Sequence, residues 1–493
     1  MKKLIIILAL ALILRLISIG EPLYVDEAFT YTVAQSPSTA LHATFSAEEH
    51  PPLFNLLASF FRYLTGQVWA LRLFSVFAGV ATVMFAYLAC RQLLSEKASL
   101  ITAFLVSISP LFIKMSQQLR PYMLQPMLVF ASMYFFLKAM RTDDRKAWAG
   151  YIIMAVLSGY TSHFSVLMMA ALLLVAVLFK KHFKSFKNFI ISEAVIALLL
   201  IPNLIYAYFQ LNYLGFMAEY SPQLHPSWRI LILPYNFYEY LFGPHAPYLT
   251  NFTIDWAWLP LLAISLIFFA YLVYRGLKMK RQPLHFFAIT TILPLMLVWL
   301  MSFFSYMQIE PKRFLFVTLG LYAMIAYGIS TLSRRLQIAS LIVVVALMAV
   351  PIASFYAYDN IAWPGLTGHI EDNDQPGDVI GVHMNLLTLV LRHYYTGEAP
   401  IHGIPDEYLT DDMMTSFSRH SDVDNIVMQG NFEHLFEDEF AGKTRLWYVV
   451  SRGQATDPEG LFKAYLDNNY DLLEETSYSE NRAMLYLYDL AEE

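Results

Sequence analysis

The sequence predicts a polytopic α-helical membrane protein of about eleven transmembrane helices, followed by a soluble α/β domain at its C-terminal end. Of its 493 residues, 57% are hydrophobic and only 15% are charged, whereas an ordinary soluble domain has about 25% charged residues. The apolar residues form long runs over residues 1–357, and residues 358–493 read like a soluble acidic domain. The first part therefore lies in lipid, and the second part lies in water.

The transmembrane helices are predicted from apolar runs, because about 20 mostly apolar residues are needed to cross a bilayer. Short charged pieces separate these runs. The predicted spans are residues 3–20, 68–90, 97–114, 122–140, 147–162, 164–179, 188–209, 256–275, 284–304, 314–332 and 337–357.

The orientation follows from the basic residues that flank the spans. Pairs such as Lys2-Lys3, Lys180-Lys181 and Arg334-Arg335 fall at alternate loops, and Lys and Arg are retained on the cytoplasmic side. We therefore expect a multi-pass protein of the plasma membrane with a cytoplasmic N-terminus. After an odd number of spans, the C-terminal domain is extracytoplasmic.

Two outer segments of the membrane domain, residues 21–67 and 210–255, are too long or too polar to be simple turns. Within the first, residues 27–34 and 53–64 alternate apolar and polar residues at near-helical spacing, as helices lying in the interface do. The net charge of −6 leaves no basic excess for a polyanion, so nucleic acid is excluded as a partner. The single cysteine excludes an intramolecular disulfide and a cysteine-based metal site.

The C-terminal domain is predicted to alternate strands with helices, which is typical of a small α/β layer fold. Strands are expected at residues 378–382, 445–451 and 483–488, and helices at residues 386–395 and 459–469. The domain has no Gly-x-Gly-x-x-Gly motif, so a nucleotide site there has little support.

Two adjacent acids, Asp26 and Glu27, follow the first span at the outer surface. Ionisable groups at that depth are costly unless they are used. A carboxylate there can act as a general base on an acceptor hydroxyl. The alternative is that both acids only cap an interfacial helix, where they suit the N-terminal dipole.

Other polar residues map to the same outer face. His50 precedes two prolines that stiffen the return of the chain to the membrane, and it either donates to a phosphate or sugar or lies in a plain turn. Arg120, in the segment Ser116 to Tyr122, has no acid near it in sequence, which favours a phosphate over a structural ion pair. His163 occupies another outer turn, where a hydrogen-bonded interface residue is the plainer reading.

Lys312 and Arg313 stand at the outer entrance of a span, against the positive-inside trend. They either extend to lipid headgroups or bind a lipid phosphate. All of these residues fall on one membrane face in a single topology, so together they indicate a site.

The order and wording of these motifs resemble the dolichyl-phosphate-mannose protein mannosyltransferase-like superfamily, glycosyltransferase family 39, of the GT-C fold. The resemblance covers roughly residues 1–330. The motifs that carry it are Asp26-Glu27-Ala28-Phe29, His50-Pro51-Pro52-Leu53, Arg72-Leu73-Phe74-Ser75, Ser116-Gln117-Gln118-Leu119-Arg120-Pro121-Tyr122, His163-Phe164 and Lys312-Arg313-Phe314-Leu315.

The resemblance implies an inverting transfer of a sugar from a polyprenyl or dolichyl phosphate carrier to a glycan, lipid or protein acceptor. It implies that Asp26 is the catalytic base with Glu27 beside it. It also implies that Arg120, Lys312 and Arg313 hold the carrier phosphate. The resemblance also implies that His50 and Tyr122 shape the pocket. Gln118 and His163 are further candidate pocket residues.

One departure is that position 118 is Gln, where relatives often carry Glu. If that acid helps to bind the sugar or the acceptor, the substrate of this chain is expected to differ from that of typical relatives. The reaction needs no cofactor, and the sequence leaves room for a divalent metal. A transporter or flippase of a lipid-linked sugar is the main rival, although the paired half-repeats of transporters are absent from the sequence. A non-catalytic scaffold that presents the outer domain is a third reading.

Overall fold

The computed structural model describes the chain except for residues 1, 47, 49, 183, 221–225, 245–248, 251–252, 255–256, 279–281, 304–309, 359, 405–434, 452–456, 458 and 492–493. Of the outer segment predicted at residues 210–255, residues 221–225, 245–248, 251–252 and 255 lie outside the described residues. The chain divides into two compact units. The first comprises Met1–Ile19, Glu49–Phe54 and Trp69–Tyr358, and the second comprises Gly20–Glu48, Asn55–Val68 and Asp359–Glu493.

Among the described residues up to Tyr358, the regular structure is helical apart from one short hairpin. Its helices are α1 (Lys2–Leu16), α2 (Val25–Val33), α3 (Pro37–Ser46), α4 (Leu53–Thr65), α5 (Val68–Leu93), α6 (Glu96–Ile108), α7 (Pro110–Ser116), α8 (Leu124–Thr142), α9 (Arg145–Gly159), α10 (Ser165–Leu178), α11 (Phe186–Tyr220), α12 (Pro226–Phe242), α13 (Leu259–Lys278), α14 (Gln282–Met301), α15 (Thr318–Ser330) and α16 (Arg334–Ala357). A 3₁₀ segment, Pro311–Val317, leads into α15. Strands β1 (Leu249–Thr250) and β2 (Thr253–Ile254) form the hairpin.

The multi-pass character is confirmed, but the number of full-length spans is lower than predicted. Among the described residues, six helices are long and apolar enough to cross a membrane, or seven if the bent pair α6–α7 is one span. The predicted spans that fall short are α1, α9 and α10, with 15, 15 and 14 residues, and α8, which has 19 residues but includes Lys138 and Arg141. A helix nevertheless occurs at each of these predicted positions.

Two glycines allow helices α13 and α15 of the first unit to pack closely. A Cβ at Gly328 of α15 would lie 2.1 Å from the carbonyl oxygen of Leu272 on α13, and a Cβ at Gly276 would lie 2.8 Å from the carbonyl oxygen of Met324. Small residues let helix backbones approach in this way, which gains van der Waals contact between helices in lipid. The two helices are therefore held against each other without side chains between them.

A buried arginine ties α1 to the hairpin between α6 and α7. The Arg15 guanidinium donates to Ser116 Oγ (3.0 Å), to the carbonyl oxygens of Ala11 and Ser107 (3.0 Å each) and to that of Val106 (3.3 Å). A buried cation is tolerated when such acceptors surround it. The charged, fully buried side chain of Arg15 thus fixes Ser116 and, with it, the start of the segment that follows.

The C-terminal part of the second unit is a five-stranded mixed sheet with helices, as the alternating pattern predicted. The strands are β3 (Asp378–His383), β4 (Ile401–Ile404), β5 (Arg445–Ser451), β6 (Asp471–Tyr478) and β7 (Ala483–Asp489). The helices are α17 (Trp363–Asn373), α18 (Thr388–Tyr394) and α19 (Leu461–Asn469). The order is β4-β3-β5-β7-β6, with β3 parallel to β4 and β5 and the remaining pairs antiparallel.

The predicted strands at 378–382, 445–451 and 483–488 and both predicted helices are confirmed. The short β4 and the edge strand β6 were not predicted. At the start of the sheet, Asp378 is buried and accepts two hydrogen bonds from Arg445, at 2.8 and 2.7 Å, and one from Trp447 Nε1 at 2.9 Å. This bidentate pair joins the first residues of the neighbouring strands β3 and β5.

Helix α2 belongs to the hydrophobic core of the second unit. Its residues Val25, Ala28, Phe29 and Val33 are buried in the same cluster as residues of α17, α18, β3 and β5. The predicted helix at residues 27–34 therefore exists, but its apolar face is covered by protein.

Candidate functional site

Three cationic or basic groups of the first unit surround the ring of Tyr122. The Arg120 guanidinium carbon lies 5.9 Å from the ring centroid, and Lys312 Nζ lies 5.2 Å from it. The His50 ring meets the Tyr122 ring edge-on, with centroids 5.5 Å apart. The structure thus brings His50 and Lys312, which are distant in sequence, to the segment that carries Arg120 and Tyr122, and the motifs had singled out all four residues.

The loop that carries Arg120 and Tyr122 is fixed by its N-terminal neighbours. Helix α7 begins with Pro110 in its first turn, where the missing N–H costs nothing, and ends at Ser116, the partner of Arg15. Gln117 then donates to the carbonyl oxygens of Leu14 and Ile17, at 3.2 and 2.7 Å. Arg120 and Tyr122 are consequently held at 7% and 3% exposure.

Lys312 and Arg313 share one carboxylate. Arg313 Nε donates to Glu310 Oε2 at 2.9 Å, and Lys312 Nζ lies 3.4 Å from the same oxygen. Burial pushes the pKa of Glu310 upward, but the charges of Arg313 and Lys312 outweigh burial and hold that pKa below its usual value. Glu310 is therefore ionised, and it offsets one of the cationic charges in the cluster.

His50 is neutral in this environment. Burial lowers its pKa well below the usual value of 6.5, and the charges of Arg120, Arg313, Lys312 and His163 lower the pKa further. A neutral imidazole can donate from one nitrogen and accept at the other. His50 is thus a hydrogen-bonding group beside the cations and adds no charge of its own.

His163 lies in the turn between α9 and α10, beside helix α11. Asn203 Nδ2 is 3.3 Å from His163 Nδ1 and donates to the carbonyl oxygen of Gly159 at 3.0 Å. The ring of His163 lies 5.6 Å from that of Tyr206. In the same turn, the carbonyl oxygen of Tyr160 accepts the N–H of Leu53 at 3.1 Å, so the Pro51-Pro52 return of the chain is anchored next to His163.

Two further polar residues that the sequence analysis missed belong to this environment. Glu239, on α12, is buried and accepts a hydrogen bond from Tyr235. Burial raises its pKa, while the charges of Lys114 and Lys312 pull the pKa down and that of Glu310 raises it. Lys114 ends an apolar run and Glu239 lies among aromatic residues, so neither stood out in sequence.

Gln118 is half-buried, and none of the contacts described above involves it. Among the described residues, no group of three or more His, Cys, Asp or Glu side chains is arranged to hold a metal ion.

Asp26 and Glu27 lie in the first turn of α2, in the second unit. Glu27 is buried, and its Oε2 accepts the backbone N–H of Tyr24 at 3.1 Å, which is the capping role of an acid at the third helical position. The Asp26 side chain is half-buried. The two adjacent acids thus differ in environment, because Glu27 is buried and caps the start of α2 whereas Asp26 is half-buried.

Comparison with known proteins agrees with the motifs. The family model described as dolichyl-phosphate-mannose-protein mannosyltransferase matches residues 49–206, so the resemblance is confirmed over that part of the chain. A comparison with curated protein sequences finds no match.

Solved structures share the fold over nearly the whole chain. ArnT from Cupriavidus metallidurans in the apo state is 12% identical, with a TM-score of 0.57 over 98% of this chain and 97% of that chain. The same protein bound to undecaprenyl phosphate gives 13% identity and a TM-score of 0.54, again over 98% and 97%.

The archaeal oligosaccharyltransferase AglB from Archaeoglobus fulgidus, in complex with an inhibitory peptide and a dolichol-phosphate, is 13% identical. Its TM-score is 0.54 over 98% of this chain and 74% of that chain. The chain therefore has the fold of these proteins, and the predicted fold class is confirmed.

Proposed function

We propose that this chain, a multi-pass membrane protein of the GT-C fold, transfers a sugar from a polyprenyl or dolichyl phosphate to an acceptor on the extracytoplasmic face. The observation that carries the proposal is the cluster around Tyr122. There Arg120, Lys312 and Arg313 outnumber their ionised neighbour Glu310. A surplus of cations beside a buried neutral histidine is suited to a phosphate.

The comparisons support the lipid carrier. ArnT, which has the same fold, has been solved with undecaprenyl phosphate, and AglB has been solved with a dolichol-phosphate. The matched family is named for a dolichyl-phosphate sugar donor. We therefore propose that the donor of this chain is also linked to a carrier phosphate. The sugar and the acceptor are to be identified by experiment.

The proposed reaction forms a bond between an acceptor oxygen and the anomeric carbon of the sugar, and it breaks the bond between that carbon and the carrier phosphate oxygen. The bonding electrons pass to the phosphate, whose negative charge grows toward the transition state. Preorganised cations aimed at that charge lower the barrier. We assign this role to Arg120, Lys312 and Arg313, with His50 and Tyr122 shaping the pocket.

The acceptor hydroxyl loses its proton in the same step, and we assign Asp26 as the group that takes it. Glu27, which caps α2, is given the supporting role of fixing the first turn. The transfer inverts the anomeric centre. We also propose that the C-terminal domain and the outer segments are extracytoplasmic and that the chain lies in the plasma membrane. The flanking Lys and Arg residues support this orientation.

The test uses the purified full chain in lipid nanodiscs with a panel of polyprenyl-phosphate sugars and fractionated acceptors. We expect acceptor-dependent release of polyprenyl phosphate. Asp26→Asn should abolish release and leave donor binding nearly intact, because only the proton acceptor is lost. The matched control is Asp471→Asn, an exposed aspartate at the start of β6, which should turn over normally.

Near-normal turnover by a folded Asp26→Asn protein would remove Asp26 from the role of base. A transporter or flippase gives a different result, since intact donor would cross sealed vesicles without release of the carrier phosphate. A scaffold gives neither signal, and substitutions at Arg120 or Lys312 would then be silent.

A further inference from the structure

We propose that the C-terminal α/β domain positions Asp26, because helix α2 is docked into that domain's own hydrophobic core. This inference rests on the proposed function, in which Asp26 is the base. It gives the C-terminal domain a part in catalysis: the domain fixes the helix that carries the reacting carboxylate.

The apolar face of α2 is the first observation. Val25, Ala28, Phe29 and Val33 recur at helical spacing and are 8%, 1%, 5% and 0% exposed. They share one cluster with residues of α17, α18, β3 and β5, namely Trp363, Leu366, Ile370, Ile380, Val382, Leu389, Val390, Trp447 and Val449. The cluster is continuous, so α2 completes the core on that side of the sheet.

The length of α2 is the second observation. It has nine residues, and helices this short are not stable in water without tertiary packing. Its cap by Glu27 satisfies one backbone N–H but cannot supply the stability that a longer helix has. The helical form of the segment that carries Asp26 therefore depends on its docking.

Polar and aromatic contacts hold α2 at both ends, and both go to the end of α18. Just before α2, the N–H of Leu23 donates to the Tyr394 hydroxyl at 2.7 Å. In the last turns of α2, the Tyr31 ring meets the His393 ring edge-on, with centroids 4.9 Å apart. Asp26 lies between these two attachments, so consecutive residues of α18 hold the helix segment that carries it.

An arginine secures the second attachment. The Arg62 guanidinium carbon lies 3.9 Å from the Tyr31 ring centroid, and Arg62 also donates to the Tyr31 carbonyl oxygen. Burial lowers the pKa of His393, and the charge of Arg62 lowers it further. The group formed by Arg62, Tyr31 and His393 therefore ends in a neutral imidazole.

A general base must reach the proton it takes within hydrogen-bonding distance, and a displacement of about 1 Å can cost roughly 10²-fold in rate. Donor binding is assigned to residues of the first unit. Loosening the attachment of α2 should therefore lower kcat and leave the KM for donor unchanged, a split that general loss of structure would not produce.

The experiment compares Tyr394→Phe, which keeps the ring but removes the hydroxyl that accepts from Leu23, with Tyr465→Phe as a matched control. Tyr465 is a half-buried tyrosine of α19 that packs in the cluster on the other face of the sheet. We expect Tyr394→Phe to lower kcat by about tenfold, to leave donor KM unchanged, and to speed hydrogen exchange of the α2 amides. Tyr465→Phe should change none of these.

A second pair makes the test independent of that one hydroxyl. Phe29→Ala should lower kcat more than Tyr394→Phe does, and Phe29→Leu should recover most of the activity because it refills the core.

If α2 amides exchange faster in Tyr394→Phe while kcat stays normal, the positioning role is wrong. A parallel fall of kcat and donor affinity would overturn it as well. Failure of the proposed function itself is distinguished by Asp26→Asn, whose normal turnover would exclude Asp26 regardless of how α2 is held.

Discussion

Arg313 offers the sharpest test of how the carrier phosphate is held. Its Nε is bonded to Glu310, so we expect the terminal nitrogens to meet the phosphate. Two parallel charge-assisted hydrogen bonds are worth about 1.5–3 kcal/mol each. The Arg313 side chain is 18% exposed, so screening by water is limited, and Arg120 and Lys312 remain to take up part of the loss.

Taking about 3 kcal/mol as the net loss, Arg313→Ala should lower kcat/KM by roughly 10²-fold, at 1.36 kcal/mol per tenfold change. Arg313→Lys keeps the charge beside Glu310 but loses the fork geometry, and we expect a fall of about tenfold. Because charge on the departing phosphate grows toward the transition state, kcat should fall along with donor affinity.

The assay is steady-state release of polyprenyl phosphate by the full chain in nanodiscs, with kcat and donor KM measured separately. Arg275→Ala is the matched control, since Arg275 is an arginine of α13 near the predicted cytoplasmic loop and donates only to Tyr271 on its own helix in the contacts described. Equal and near-normal rates for Arg313→Lys and Arg313→Ala would refute the reasoning. The phosphate role would then shift to Arg120 or Lys312, and Arg313 would be a membrane anchor.

Three further predictions follow from charged groups and topology. His50 has a folded pKa well below its unfolded value, so its contribution to stability is present above the unfolded pKa of about 6.5 and is lost as pH falls toward the folded pKa. Thermal unfolding of His50→Gln should therefore show a smaller loss of stability as pH falls below about 6.5. Asp378→Asn breaks the bidentate pair with Arg445 and should destabilise the second unit by about 3–5 kcal/mol, read as a lower unfolding temperature, with Asp374→Asn as the milder comparison. Protease added to the outer face of sealed cells should reach the C-terminal domain; cleavage of that domain only from the cytoplasmic side would contradict the predicted orientation.

The fold could be predicted where a pattern is long or strongly bounded. Helices occur at all of the predicted spans, and β3, β5 and β7 were found because β-branched and aromatic runs sit between turn residues. Strand β4 was missed because its four residues include His402 and Gly403, and β6 was missed because its exposed edge carries acids. Their formation depends on pairing with neighbouring strands, which periodicity does not reveal.

The candidate site could be predicted where a charge stands out against its surroundings. Lys312 and Arg313 were recognised because cations are unexpected at the outer face, and Arg120 was recognised because no acid lies near it in sequence. The structure brings Arg120 and Lys312 to one tyrosine ring. Lys114 and Glu239 carry no such contrast in sequence. Their relation is electrostatic and crosses from α7 to α12, and only the packing of those helices reveals it.

The pair Asp26 and Glu27 illustrates what a sequence motif leaves open. Catalysis and capping were alternative readings of both acids together, yet the structure assigns capping to Glu27 through the N–H of Tyr24. A cap must reach back to the helix start to accept that N–H, so the Glu27 carboxylate is engaged there. Asp26, one residue earlier, has a different direction because successive residues of a helix are about 100° apart. The two readings are therefore compatible: one acid fixes the turn on which the other is presented, and removal of Glu27 should reduce turnover through the position of Asp26.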